Sequence, residues 1–193
     1  MATLEIVEIG HPTLREVAQE VPVDEIKTAP VQEFIDSLIE TKRAANGAGI
    51  AANQVDNLWR IFVVEVVNNP RYPYKPEYPL TVVINPEITY LIEDRFENFE
   101  GCLSVPNLRG VVHRCPIIQV TGFNRDAEPV DFEVKGVVAG TFQHEMDHLN
   151  GVMFTDRTID PRSFCSWSEF DKRYEDSFRQ LVLEVEEAYN IDT

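Results

Sequence analysis

Cysteine is scarce in this chain, three in 193 residues, and an odd, sparse set in a mid-sized protein gives no disulfide framework. Cys102, Cys115 and Cys165 are therefore each a core thiol or a ligand. Long apolar runs are absent too: nothing approaches the roughly 18 residues of a membrane span. The opening segment, MATLEIVEIGHPTLREV, has neither the basic flank nor the apolar stretch of a secretory leader, and its acidic residues argue against an organelle transit sequence. A cytoplasmic protein without a membrane partner is the expectation. Basic charge is the third shortage, with 17 Lys and Arg against 33 Asp and Glu and a formal net charge of −16. Such a surface repels a polyphosphate and carries no Lys/Arg stripe, so a direct nucleic-acid substrate is not expected. The acidity itself speaks to solubility rather than to fold.

What is present reads as one globular unit, 44% hydrophobic and 26% charged, of a length that buries one substantial core. Val31, Phe34, Ile35, Leu38 and Ile39 follow the spacing of a helix with one buried face, predicted over 31–45, with Pro30 suited to its first turn. Apolar runs at 61–67, 80–84, 117–123 and 130–134, separated by Asn, Pro, Gly and Asp, predict strands close enough in sequence to pair antiparallel. Residues 68–79 (NNPRYPYKPEYP), with four prolines and three tyrosines, predict an ordered surface loop or insertion. Over 136–150 the period changes to that of a helix, with Gly151 where a helix C-cap falls. Ser166 and Glu169 have capping-box spacing ahead of a final helix carrying Phe170, Tyr174, Phe178, Leu181 and Val185. The pattern predicts an α+β fold: antiparallel sheets around a central helix, with further helices at the N-terminal and C-terminal ends.

That central helix holds His144-Glu145-Met146-Asp147-His148. Histidines four residues apart project from one helix face and can grip one metal ion, while Glu145 stands about a quarter turn aside, at ~3.6 residues per turn, where it can take a proton without occupying a coordination position. A catalytic site needs a third protein ligand and an open position. Where an extended metalloprotease motif would place a third histidine there is Phe154, and no histidine follows His148. Glu169 lies where another protease class takes a glutamate ligand, but capping already explains it. Cys102, in the polar Glu100-Gly101-Cys102-Leu103-Ser104 interruption, is the better candidate; Cys115 and Cys165 read as small core hydrophobes. A third segment, GAGIAANQ at 47–54, offers small residues past which a backbone can approach a ligand closely, although the same residues would serve as a helix end and tight packing.

Taken in order, these segments resemble the peptide deformylase family, whose marks are G-x-G-x-A-A-x-Q, E-G-C-x-S and Q-H-E-x-D-H. Residues 47–54, 100–104 and 143–148 match without a mismatch, and the similarity runs over about 4–160, including 11–15 and 103–114. The resemblance implies a catalytic domain at 1–160 and a helical extension, 161–193, packed on it. It implies one divalent metal per chain on Cys102, His144 and His148, with ferrous iron native and nickel, cobalt or zinc able to replace it. Glu145 would carry the proton, and the Leu103 N–H and Gln54 amide would meet charge developing on the formyl oxygen. It further implies that the backbone of Ala48, Gly49 and Gly101 holds the peptide, that Val137, Gly140 and Thr141 wall an apolar methionine pocket, and that Glu100 and Arg114 brace the cysteine loop as an ion pair. The substrate would be N-formyl-methionyl nascent peptides, met through transient association with the ribosome. Residues 161–193 carry four basic and eight acidic side chains, so a basic ribosome-binding helix is not expected there.

Overall fold

Residues 29–44 bury Val31, Ile35, Leu38 and Ile39 on one side, start with Pro30 in the first turn and end on Lys42 and Arg43, which suit the negative end of the helix dipole. In the computed structural model, which describes residues 2–189, this segment is helix α1 (Ala29–Ala44). It is followed by strand β1 (Gly49–Ala51), a 3-10 turn (Ala52–Val55), and strands β2 (Ile61–Val66), β3 (Tyr78–Tyr90), β4 (Phe96–Cys102), β5 (Val105–Arg114), β6 (Ile117–Phe123) and β7 (Pro129–Lys135). Helices α2 (Gly136–Leu149), α3 (Phe154–Arg157), α4 (Trp167–Arg173) and α5 (Glu175–Ala188) complete the chain.

Five strands form one antiparallel sheet in the order β1-β2-β3-β6-β7, while β4 and β5 form a separate hairpin. Strand β2 is buried along its whole length because both faces of the sheet are covered. Ile61 and Val63 join Ile35, Leu38, Ile50 and Ile84 under α1, whereas Phe62 and Val64 join Val138, Ala139, Phe142 and Leu149 of α2. Helix α2 is therefore central: every residue from 136 to 149 except Met146 is buried. Its polar groups have partners to match. Gln143 clasps the backbone of Cys115, accepting from its N–H at 3.0 Å and donating to its carbonyl at 2.7 Å. Gly151 follows the helix with φ +71°, a left-handed conformation that glycine adopts without strain.

The hairpin β4–β5 was invisible to hydrophobic patterning. Phe96, Asn98, Glu100 and Cys102 are the buried alternation of β4, but two of those four positions are polar because they face the site. Strand β3 also extends beyond the 80–84 core, to Tyr78–Tyr90, and the short β1 was not anticipated. The final helix is two helices, broken at Tyr174. Side chains eight residues apart on one helix diverge by about 80° at 3.6 residues per turn; the break lets Phe170 and Phe178 share one cluster with Phe96, Val137, Val182 and Val185. Through that cluster α4 and α5 lie against β4 and the start of α2. Ser166 caps α4 by accepting from the Glu169 N–H at 3.3 Å, whereas the Glu169 carboxylate turns outward to Arg173 at 2.6 Å.

Candidate metal centre and peptide cleft

One turn of α2 separates His144 from His148, so their rings stand 4.9 Å apart, centroid to centroid, on the face turned toward the hairpin. Cys102 ends β4 immediately before the tight turn into β5, which delivers its sulfur to the same place. The donor atoms of Cys102, His144 and His148 all lie within 4.8 Å of one another, and all three residues are buried. Sγ of Cys102 is 3.2 Å from Nε2 of His148. Two imidazole nitrogens and a soft thiolate on a common centre form a ligand set that suits a divalent transition metal. Burial pulls His144 down, but hydrogen bonds with Cys102 and Glu100 outweigh it and hold the imidazole well above its ordinary pKa; His148, with burial reinforced by the His144 charge, falls well below.

The outer support is continuous. Nδ1 of His144 meets Glu100 Oε2 at 2.8 Å, which leaves Nε2 for the centre. Glu100 in turn takes both Nε (2.8 Å) and Nη2 (3.0 Å) of Arg114, and Arg114 Nη1 reaches Asp147 Oδ2 at 2.7 Å. Asp147 also accepts from Arg157 Nη2 at 2.7 Å. Arg114 and Glu100 are 3% and 5% exposed, so this is a buried pair and not an ordinary surface one.

Glu145 sits apart from the three donors. Its Oε2 is buried without a partner, and burial pushes the carboxyl up to about 7 against the charges of His144 and Lys75. A Cβ on Gly49 would lie 2.3 Å from Glu145 Oε1, so any side chain there would displace this carboxylate where it meets β1. Gln54, in the turn after β1, accepts from the Ala51 N–H through Oε1 at 2.9 Å. Its Nε2 is thereby aimed at Ser104 Oγ, at 3.2 Å, and Cys102 Sγ, at 3.5 Å. Leu103 is the first residue of the hairpin turn beside Cys102, close to Gly47. The cavity between these groups is lined by Ala48, Gly49, Gln54, Gly101, Leu103 and Glu145, with Gly140 and Thr141 on α2. Strand β1 is an edge of its sheet, and β4 pairs on one side only, so two strand edges flank the cleft.

One expectation does not hold, and the rival ligand set aside from the sequence stays away from the centre. Val137 does not line the cavity: it packs with Phe178 and Val182, and its N–H donates to Glu186 at 2.9 Å, because the start of α2 is covered by α5. Glu169 lies on α4, paired with Arg173 and Lys172, and is not among the residues that converge with the histidines. Four lining residues were missed: Asn98 and Phe99 of β4, and Tyr72 and Lys75. Tyr72 and Lys75 come from the Pro/Tyr loop, whose only sequence signal was its aromatic content. Asp147 was inside the recognised motif without an assigned task.

A helix presenting two histidines and an unpaired glutamate to a buried cysteine and a poised amide defines a metal-dependent amide hydrolase. The family model for polypeptide deformylase matches residues 3–163. Over 154 residues, 80% of this chain and 85% of the relative, it is 45% identical to peptide deformylase 2 of a Nostoc species. It is 41% identical over 172 residues to peptide deformylase 1 of Prochlorococcus marinus, covering 89% and 88% of the two chains. Among solved structures, the Met-Ala-Ser-bound class I type b peptide deformylase of Acinetobacter baumannii superposes with a TM-score of 0.78 at 36% identity, covering 81% of this chain and 98% of that one. This chain belongs to the polypeptide deformylase family, and as such is a hydrolase that removes formyl groups from nascent peptides. The rival assignment as a peptidase that cleaves internal bonds is not supported.

Proposed function

We propose that the cleft binds the formylated N-terminus of a methionyl peptide and that Cys102, His144 and His148 hold one ferrous ion, replaceable by nickel, cobalt or zinc. The observation that carries this reading is the convergence of those three donors beside an unpartnered Glu145. When bound, the cation would supply Lewis acidity to the formyl carbonyl and to the attacking water. Glu145 accepts the proton of that water as its oxygen bonds to the formyl carbon. The same carboxyl returns the proton to the amine as the C–N bond breaks, releasing formate and a free N-terminus. Negative charge building on the formyl oxygen meets two donors, the Gln54 amide and the Leu103 N–H.

The peptide runs as an extended strand between the two free edges, along the backbone of Ala48, Gly49 and Gly101. Its first side chain enters beside Gly140 and Thr141. The product-like tripeptide bound to the Acinetobacter relative supports such a cleft. Residues 1–160 act as the catalytic domain and 161–193 as an extension of it, held by the aromatic cluster around Phe170 and Phe178. No helix among the described residues is long and apolar enough to cross a membrane. We place the enzyme in the cytoplasm, meeting nascent chains through transient ribosome association without a basic docking helix.

Formate release from formyl-Met-Ala-Ser by anaerobically purified protein, with metal analysis, is the direct test. Gln54→Leu should lower kcat about 100-fold while KM changes little, since its amide is assigned to charge present only in the transition state. A change confined to KM would show that Gln54 merely positions substrate.

A further inference from the structure

The pocket beside Gly140 and Thr141 is not the apolar slot expected from the sequence. Lys75 reaches into it from the loop between β2 and β3. The residue is half-buried, but its amine points inward: Nζ donates to Thr141 Oγ1 at 2.8 Å and lies 4.8 Å from the centre of the Tyr72 ring. Burial pulls the amine down to about 8, with Glu100 opposing, so it remains mostly charged at neutral pH. An ammonium has three donors, and only the one to Thr141 has a hydrogen-bond acceptor. Lys75 lines a cavity with only about 30 Å³ of free room, space for two or three water molecules. On the opposite side Gly140 supplies no side chain, and Asn98 and Phe96 of β4 close against it.

The loop that carries Lys75 is anchored at several points. Asn69 Nδ2 donates to the Asn46 carbonyl at 3.0 Å, and the Lys75 N–H donates to the Tyr72 carbonyl at 3.0 Å. Tyr72 lies against Trp167, with ring centroids 5.7 Å apart. Tyr74 accepts from Arg109 Nη2 at 2.7 Å and packs edge-on to Phe178 at 5.1 Å. These ties join the loop to the C-terminal helices and make Lys75 a built wall of the pocket.

We propose that Lys75 is the specificity-determining residue of this pocket: its amine donates to the tip of the substrate's first side chain and selects one that ends in an acceptor, the thioether sulfur of methionine or the oxygen of its sulfoxide. The proposal deepens the deformylase reading and rests on it. A substrate atom that accepts from the amine replaces the water it displaces there, whereas an isosteric hydrocarbon displaces that water and leaves the donor without an acceptor.

The test compares kcat/KM for formyl-Met-Ala-Ser, formyl-norleucyl-Ala-Ser and the methionine-sulfoxide peptide in the wild-type enzyme, Lys75→Met and Thr141→Val, each checked for metal content and thermal melting. Calorimetric binding of Met-Ala-Ser and norleucyl-Ala-Ser reads the same pocket without turnover, so an enzyme that releases no formate would refute the deformylase reading and still leave the pocket measurable. The wild-type protein should favour methionine over norleucine by about 3- to 10-fold, the worth of one modest hydrogen bond. Lys75→Met should bring that ratio near one and lose the sulfoxide peptide by about 10-fold relative to norleucine. Thr141→Val, which keeps the amine but removes its resting acceptor, should preserve or raise the preference for methionine. Unchanged ratios in Lys75→Met would overturn the proposal. So would an equal gain for methionine and norleucine through KM, the signature of a lysine that merely plugs the pocket.

Discussion

Glu65 and Glu100 are both buried carboxylates at the centre of an ion cluster, and the two clusters end differently. Glu65 receives Lys42 Nζ at 2.9 Å and Arg43 Nη2 at 2.8 Å; the lysine also reaches the Gly47 carbonyl at 3.5 Å. That cluster ties the end of α1 to β2 and to the turn leading into Ala48 and Gly49. The cluster around Glu100 runs through Arg114 and Asp147 but ends on the His144 imidazole, a metal-ligand candidate. One therefore holds backbone, the other holds a donor atom. Arg43 and then Lys42 keep the Glu65 carboxyl down at about 2 against burial; for Glu100 burial is the largest influence, yet Arg114 and His144 outweigh it and hold it well below the carboxylate range. Glu145 has no such cation in hydrogen-bond contact and is pushed up to about 7 by burial. A buried carboxylate with its partners in place supports structure, whereas one left without them is available to move a proton.

Substitution of each glutamate by glutamine sharpens this comparison. The largest effect is expected at Glu145: turnover should fall about 1000-fold, the range for loss of a general acid–base, with metal content unchanged. Loss of stoichiometric metal in Glu145→Gln would place Glu145 among the ligands and break the distinction. Glu100→Gln is expected to weaken metal affinity about 10- to 100-fold, because the His144 ring loses the charged acceptor that orients it. Metal titration reads this directly, and an affinity equal to wild type would reduce Glu100 to packing.

Glu65→Gln should act on stability, by about 2 kcal/mol at neutral pH, through the uncompensated Lys42 amine. Because the folded carboxyl sits near 2 and the unfolded one near the ordinary 4.5, the stabilisation is fully present above about 4.5 and is lost as pH falls toward about 2. Thermal melts of wild type and variant should therefore converge over that window. A gap that stays constant to pH 2 would show that Glu65 contributes by shape and not by charge.

The metal half of the cleft was legible because its chemistry is local in sequence. The spacing of His144 and His148 sets their common face, Glu145 follows from the same helix, and the cysteine segment was marked as a polar, glycine-containing interruption between strand-like segments. Helix α1, the core of the sheet and the central place of α2 were readable from apolar periodicity. The hairpin was not, since Asn98 and Glu100 occupy inward positions that patterning reserves for apolar side chains. Nor was the break at Tyr174, where an amphipathic stripe runs through a bend that only the facing aromatic cluster requires.

By itself the sequence determined the family and pointed to the cysteine and two histidines that converge, because helical geometry and short motifs act over a few residues and survive any packing of the remainder. Only the tertiary structure decided what walls the substrate pocket. Val137 was turned toward α5, and Lys75 was brought from a loop 66 positions before Thr141 to donate to its hydroxyl. Contacts between residues so far apart depend on how the loop, α4 and α5 pack together, and no local periodicity encodes that arrangement.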